Sequence, residues 1–319
     1  MGVAVRMEGL TKRFEQRGAE VTAVDHLTLE VQEGEIFGFL GPNGAGKTTT
    51  IKILLGLIFP NEGSAEVLGR PAGDLEMRRQ ISYLPESPYF YDYLTGAELL
   101  DFYGRLFHIP EKERKERVDH LLELVGLAGD RAKQLKQYSK GMLQRIGIAQ
   151  ALINDPKLLF LDEPTSGLDP VAHIEIRRLI ENLRDQGKTV FLSSHQLSDV
   201  ELVCDRIAIL NYGRLVRTGK VSELVTGRDV EVRARVSDTT AERLRQRFPN
   251  LRLHDGIAVV NEVPADSVND VVDIIRAGQG ELLSVVPQRQ TLEDVFVEAV
   301  GMTRRAIGTF NPLSEAPQK

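Results

Sequence analysis

The chain has 319 residues, 42% hydrophobic and 27% charged, with a formal net charge of −6. That length is enough for a sizeable core and two domains, and the acidic balance gives no electrostatic case for a nucleic-acid partner. No run of about 18 apolar residues and no apolar signal core occurs, so no segment is expected to span a bilayer, and work at a membrane would need a partner. The single cysteine, Cys204, excludes an intrachain disulfide. It reads as a small buried hydrophobe in a reducing cytoplasm.

Strand-like alternation runs from Val3 to Glu8 and from Val24 to Val31, with Leu27, Leu29 and Val31 on one side. Residues 16–20 between them form a turn, and Phe14 lies just before it. Glu35 to Leu40 reads as a buried strand and Thr49 to Leu57 as a helix. Between them stand Gly41-Pro42-Asn43-Gly44-Ala45-Gly46-Lys47-Thr48-Thr49, which fit the phosphate-loop pattern G-x-x-x-x-G-K-[ST] in the strand–turn–helix context it needs. The glycines let the backbone fold into a nest of inward N–H groups, and the helix adds the positive end of its dipole. Lys47 suits the terminal phosphates, and the Thr48 hydroxyl suits Mg²⁺. The segment is expected to bind a nucleoside triphosphate.

Pro60 to Gly63 signals a turn, followed by short strands at Ser64–Leu68 and Ile81–Leu84. From about residue 85 to 140 the pattern becomes helical. Thr95 and Glu98 predict a capping box, ahead of an apolar face containing Leu99, Leu100, Phe102, Tyr103, Leu106 and Phe107. Glu111 to Val125 forms a second helix with a solvated charged face, and residues 140–153 a third. Lys157 to Asp162 reads as a continuous apolar strand, buried on both sides and ending in the acids Asp162 and Glu163. Such carboxylates reach the sheet edge where ligands of open α/β folds bind. Asp162 can then hold Mg²⁺, and Glu163 can orient and deprotonate an attacking water.

A helix at 172–184, a buried strand at Thr189–Ser194, a helix at 197–204 and a hairpin around Asn211-Tyr212-Gly213 complete the pattern. Strands alternating with helices predict a mainly parallel sheet wrapped by helices. The pattern restarts near Gly227. A small βαββαβ-like unit and a final helix follow over about 228–300, with no visible catalytic constellation. Residues 301–319 are expected to form a mobile tail.

In order along the chain, GPNGAGKTT (41–49), LLFLDEP (158–164) and SGLDP (166–170) resemble the Walker A motif, the Walker B motif and the loop after it in the ATP-binding cassette of ABC transporters. YSKGMLQRIGIAQAL (138–152) resembles the family signature, and the resemblance extends over residues 3 to about 220. It implies a P-loop NTPase cassette over 1–225 with N-terminal antiparallel strands and a helical subdomain at about 86–153. The implied activity is ATP hydrolysis with Mg²⁺. Lys47, Glu163 and His195 would be the catalytic positions, with His195 touching the γ-phosphate. Phe14 would stack on adenine, and Asp169 would couple two sites. Ser139, Lys140 and Gly141 would contact ATP held by a second copy in a head-to-tail homodimer.

Two positions depart from the family pattern. Lys140 and Met142 replace a glycine and a glutamine in the signature, and Glu86 stands where a glutamine usually touches Mg²⁺ or water. Both departures, and the helix at 291–296, resemble an exporter subclass that handles drugs, lipids or polysaccharides. The implied partner is an integral-membrane permease, and the implied location is the cytoplasmic face of the cell membrane. Tyr89, Phe90, Tyr91 and Tyr93 either pack within the helical insertion or border the groove for a cytoplasmic helix of that permease. The other reading is an ABC ATPase acting on ribosomes or DNA. One cassette, no sustained heptads and the acidic balance argue against it.

Overall fold

Two long strands begin the fold: β1 (Val3–Gln16) and β2 (Ala19–Gln32), paired antiparallel. They run well past the alternating segments of the sequence. Backbone pairing continues to Phe14↔Val21 and Gln16↔Ala19, where the ribbon stands in solvent and needs no apolar face. The structure, a computed structural model, describes residues 2–16, 18–225, 229–288 and 290–301. Arg17, Gly227, Arg228 and the expected tail beyond Gly301 lie outside the described residues.

The chain continues through β3 (Ile36–Leu40), α1 (Lys47–Leu54), β4 (Glu62–Val67), β5 (Arg70–Pro71), the one-turn α2 (Leu75–Arg78) and β6 (Ile81–Leu84). Strands β2, β1, β4 and β5 form one antiparallel sheet in that order. Three helices follow: α3 (Gly96–Leu106), α4 (Glu111–Leu124) and α5 (Lys140–Leu152). The predicted capping box starts α3, with the Glu98 N–H donating to Thr95 Oγ1 at 3.2 Å and the Thr95 N–H to Glu98 Oε2 at 2.8 Å. The stretch ahead of it corrects the sequence reading. Residues 85–95 are turns and irregular chain, because Pro85 and Pro88 bias the residues before them away from helix.

The remaining elements of this unit are β7 (Leu158–Asp162), α6 (Pro170–Asp185), β8 (Thr189–Ser194), α7 (Leu197–Val203), β9 (Arg206–Asn211) and β10 (Arg214–Lys220). The second sheet has the order β10-β9-β3-β8-β7-β6, parallel throughout except for β10. Every residue of β3, β7 and β8 is buried, as expected for central strands covered on both faces. Phe37, Phe39 and Phe160 each stack on Phe191, with ring centroids 5.0–5.7 Å apart. Each such buried ring contributes roughly 1.5–3 kcal/mol. Cys204 is buried, as expected.

Register then does the positioning. Leu40 pairs with Ser194, and Asp162 with Ser193, so the C-terminal ends of β3, β7 and β8 lie side by side. The phosphate loop, the acidic pair and His195 all leave the sheet at that edge.

The chain divides into two compact units, with boundaries at Val221/Ser222 and Glu298/Ala299. These boundaries fall in α8 (Val221–Leu224) and near the end of the last helix. The second unit contains β11 (Asp229–Arg235), α9 (Asp238–Arg247), β12 (Leu251–His254), β13 (Ile257–Pro264), α10 (Val268–Ala277) and β14 (Glu281–Gln288), followed by most of α11 (Leu292–Val300). Its antiparallel sheet has the order β12-β13-β11-β14. Val232, Ala234, Leu244, Val260, Val271 and Ile275 form its core.

Candidate nucleotide-binding and catalytic site

The loop between β3 and α1 is shaped by its neighbours. Gly46 caps α1 with φ 101°, and a Cβ there would lie 2.4 Å from the Ala23 carbonyl oxygen of β2. No acidic residue sits in the first turn of α1, so nothing there competes with an anion for the free N–H groups. Lys47 is buried. Its ammonium donates to the Gly41 carbonyl at 2.7 Å and lies 3.5 Å from Glu163 Oε1.

Around this loop is a cavity of about 500 Å³. Its lining includes Phe14, Ala23, Pro42 to Thr49, Glu86, Glu163, Ser166 and His195. These come from six separate stretches of chain, and most were expected to meet. Phe14 is half exposed, with Lys12 Nζ 5.1 Å from its ring centroid.

Asp162 is buried beneath the cavity. Its Oδ2 accepts from Thr48 Oγ1 at 3.2 Å and from the Tyr83 hydroxyl at 3.4 Å. Its Oδ1 accepts from the Ser193 hydroxyl. Burial pushes the Tyr83 phenol up to about 12, with the Asp162 and Glu86 charges adding to the effect.

Glu163 adopts φ 51°. Its carboxylate accepts from His195 Nδ1 at 2.7 Å and from the His195 backbone N–H at 3.1 Å. Burial pushes this carboxyl up, but the His195 hydrogen bonds and the Lys47 charge together outweigh burial and hold it below its ordinary value. His195 is raised, first by its hydrogen bond to Glu163, against the opposing effect of burial.

Ser139, Lys140, Gly141 and Asp169 do not line the cavity. Ser139 caps α5, its Oγ accepting from the Met142 N–H at 3.2 Å. Asp169 caps α6, its Oδ1 accepting from the Val171 and Ala172 N–H groups at 3.0 and 2.9 Å. Sequence reasoning missed Tyr83, Ser166 and Ser193. Ser193 left a signal: a polar residue inside a strand whose neighbours are all buried must find a hydrogen-bond partner.

A family model of ABC transporters matches residues 24–166. An uncharacterised ABC transporter ATP-binding protein of Synechocystis sp. is 46% identical over 280 residues, covering 87% of this chain and 78% of the relative. The chain belongs to the ABC transporter ATP-binding proteins. A bacitracin transport ATP-binding protein of Bacillus licheniformis is 36% identical to this ABC protein, covering 94% of this chain and 98% of the relative. A dimeric ATP-binding cassette solved in a post-hydrolysis state with ADP and Pi superposes with a TM-score of 0.63 at 28% identity, covering 68% of this chain and 98% of that one. The ABC protein binds ATP through its cassette fold and is an ATPase.

The Glu163–His195 pair gives this ABC ATPase a pH signature. The raised His195 pKa means its share of the pair's stabilisation is complete below the ordinary value of 6.5 and is lost as pH rises through the folded value. The depressed Glu163 pKa means its share is complete above the ordinary value of 4.5 and is lost as pH falls through the folded value. The ion pair is therefore strongest between those two ordinary values. In the nucleotide-free protein, the His195 ring should titrate by NMR with a midpoint above 6.5, and Glu163→Gln should move it back toward 6.5. A wild-type midpoint at or below 6.5 would contradict the pairing.

Proposed function

We propose that this ATPase powers export through a separate integral-membrane permease, with two copies closing head to tail around two ATP. The observation that carries the reading is an incomplete site. Lys47, Glu163, His195 and Glu86 share one cavity, while Ser139, Lys140 and Gly141 stand outside it in the same chain. A second copy would supply the missing wall, with its Ser139 hydroxyl and Gly141 N–H facing the γ-phosphate and its Asp169 linking the two sites. Residues 1–225 are read as the cassette and about 228–300 as an accessory domain.

The residues present fit Mg²⁺. Thr48 Oγ1 and Asp162 Oδ2 stand 3.2 Å apart, close to the ~2.9 Å expected between adjacent oxygens of an octahedral Mg²⁺ shell. They would hold the ion, and Glu86 would reach it directly or through water. When bound, the ion neutralises charge on the β- and γ-phosphates. Lys47 turns from Glu163 to the terminal phosphates, and Phe14 stacks on adenine. Glu163 orients a water and takes its proton as the water oxygen attacks the γ-phosphorus and the bond to the ADP oxygen breaks. His195 steadies Glu163 and contacts the γ-phosphate.

The direction of transport rests on Glu86, Lys140 and Met142, which resemble the exporter subclass. Among the described residues no helix is long and apolar enough to cross a membrane. The proposed permease would hold the protein at the cytoplasmic face of the cell membrane. The docking surface is the aromatic segment before α3. Core packing, one of its two sequence readings, fails for three of the four rings: Tyr89, Tyr91 and Tyr93 are 91%, 51% and 61% exposed. Tyr91 stacks on Tyr93 and edge-on to the exposed Phe102 of α3, at centroid distances of 5.8 and 6.2 Å.

Affinity purification from membranes, followed by reconstitution, tests the proposal. An integral-membrane permease should co-purify and transport its substrate outward on ATP addition. Tyr91→Ala should lose the permease yet keep the basal ATPase rate of the isolated subunit. Recovery with ribosomes or nucleic acid instead of a permease would overturn the reading.

A further inference from the structure

Ser193 occupies a site that the sequence pattern alone would give to an apolar residue. It lies in β8, fully buried, between Leu192 and Ser194. In the parallel register it stands opposite Asp162 on one neighbour and Phe39 on the other. Its hydroxyl makes two contacts at once, donating to Asp162 Oδ1 and accepting the Glu163 backbone N–H at 3.2 Å. The Ser193 carbonyl accepts the same N–H at 3.0 Å.

We propose that Ser193 is a positioning residue for ATP hydrolysis, holding Asp162 with Oδ2 turned to Thr48 and fixing the left-handed backbone at Glu163. The proposal rests on the assignments of Asp162 and Glu163 made above. The three hydroxyls around Asp162 are not equivalent. Thr48 and Tyr83 share Oδ2, the oxygen that faces the phosphate loop, whereas Ser193 has Oδ1. Oδ1 is thus held from the sheet side, so the carboxylate cannot rotate its lone pairs away from the loop without breaking a buried hydrogen bond. Glu163 needs its own support. A φ of 51° is disfavoured for a residue with a Cβ, and the forked bond from its N–H to Ser193 secures it. One hydroxyl therefore sets the aim of the metal-side carboxylate and of the water-activating carboxylate together.

The test measures ATP affinity by calorimetry, with Mg²⁺ and with EDTA, in full-length Glu163→Gln protein that does not turn substrate over. Adding Ser193→Ala should weaken Mg²⁺–ATP binding about tenfold while leaving metal-free ATP binding unchanged, the size expected for loss of an outer partner of a metal ligand. In the otherwise wild-type chain, Ser193→Ala should lower kcat about tenfold or more and raise the KM for Mg²⁺–ATP in step with the weaker binding, and Ser193→Thr should restore most of the rate. Ser193→Cys keeps nearly the same volume with a weaker donor. It should show the same metal-selective loss if the alanine variant does not fold. Equal loss with Mg²⁺ and with EDTA, or no loss in either, would overturn the role of Ser193. Wild-type turnover in Glu163→Gln alone would instead overturn the assignment on which it rests, whatever Ser193 does.

Discussion

Glu163→Gln is expected to lower ATP turnover by about 10²–10⁴-fold, the usual contribution of a positioned general base. The amide keeps the shape of the side chain and still offers an oxygen to the His195 N–H groups. It loses the negative charge 3.5 Å from the Lys47 ammonium. It also loses the lone pair that accepts the proton of the attacking water. ATP binding should survive and tighten, because one negative charge leaves the neighbourhood of the γ-phosphate. If two copies close around ATP as proposed, size-exclusion chromatography with Mg²⁺–ATP should then show a dimer that outlasts any formed by wild type. Turnover near the wild-type rate would remove Glu163 from the role of base and leave the acidic pair as metal-side groups alone.

Gly46→Ala is expected to abolish ATP binding and to lower the melting temperature. Two costs add at this position. The φ of 101° is a conformation that side chains rarely adopt, worth of order 1–3 kcal/mol. The new Cβ would meet the Ala23 carbonyl at 2.4 Å, and that oxygen belongs to backbone rather than to a side chain that can swing away. Forced overlap of this kind costs typically another 1–3 kcal/mol. The loop must shift, and its N–H groups lose their common focus. Gly44→Ala is the matched comparison. It shares the positive φ, at 79°, but opens onto space with nothing within 4 Å. It should weaken ATP binding while keeping the melting point close to wild type. Calorimetry and thermal unfolding on both variants separate strain from overlap, and equal effects would contradict the account.

Much of the site was legible because its residues are consecutive. Gly41 to Thr49 and the Asp162-Glu163 pair each carry their chemistry within one stretch, bounded by strands whose apolar runs are plain in the sequence. His195 was placed by its position one residue past β8. The capping box at Thr95 was legible for the same local reason, since both of its partners lie within four residues. Residues 85–95 were misread because the helical pattern beyond Thr95 was extended backwards through two prolines.

The sequence by itself determined the order of strands and helices, the phosphate loop, the acidic pair and the absence of any intrachain disulfide. Those features depend on periodicity, turn chemistry and residue type over a few positions. Only the tertiary structure decided which strand lies beside which. It put β8 between β3 and β7, set Ser193 beside Asp162, and carried Tyr83 from β6 to the same carboxylate across a sequence separation of 79 residues. It also decided that Tyr89, Tyr91 and Tyr93 face solvent while β3, β7 and β8 are covered on both sides. Pairing register and burial are properties of the whole packed sheet, and no local window of the chain contains them.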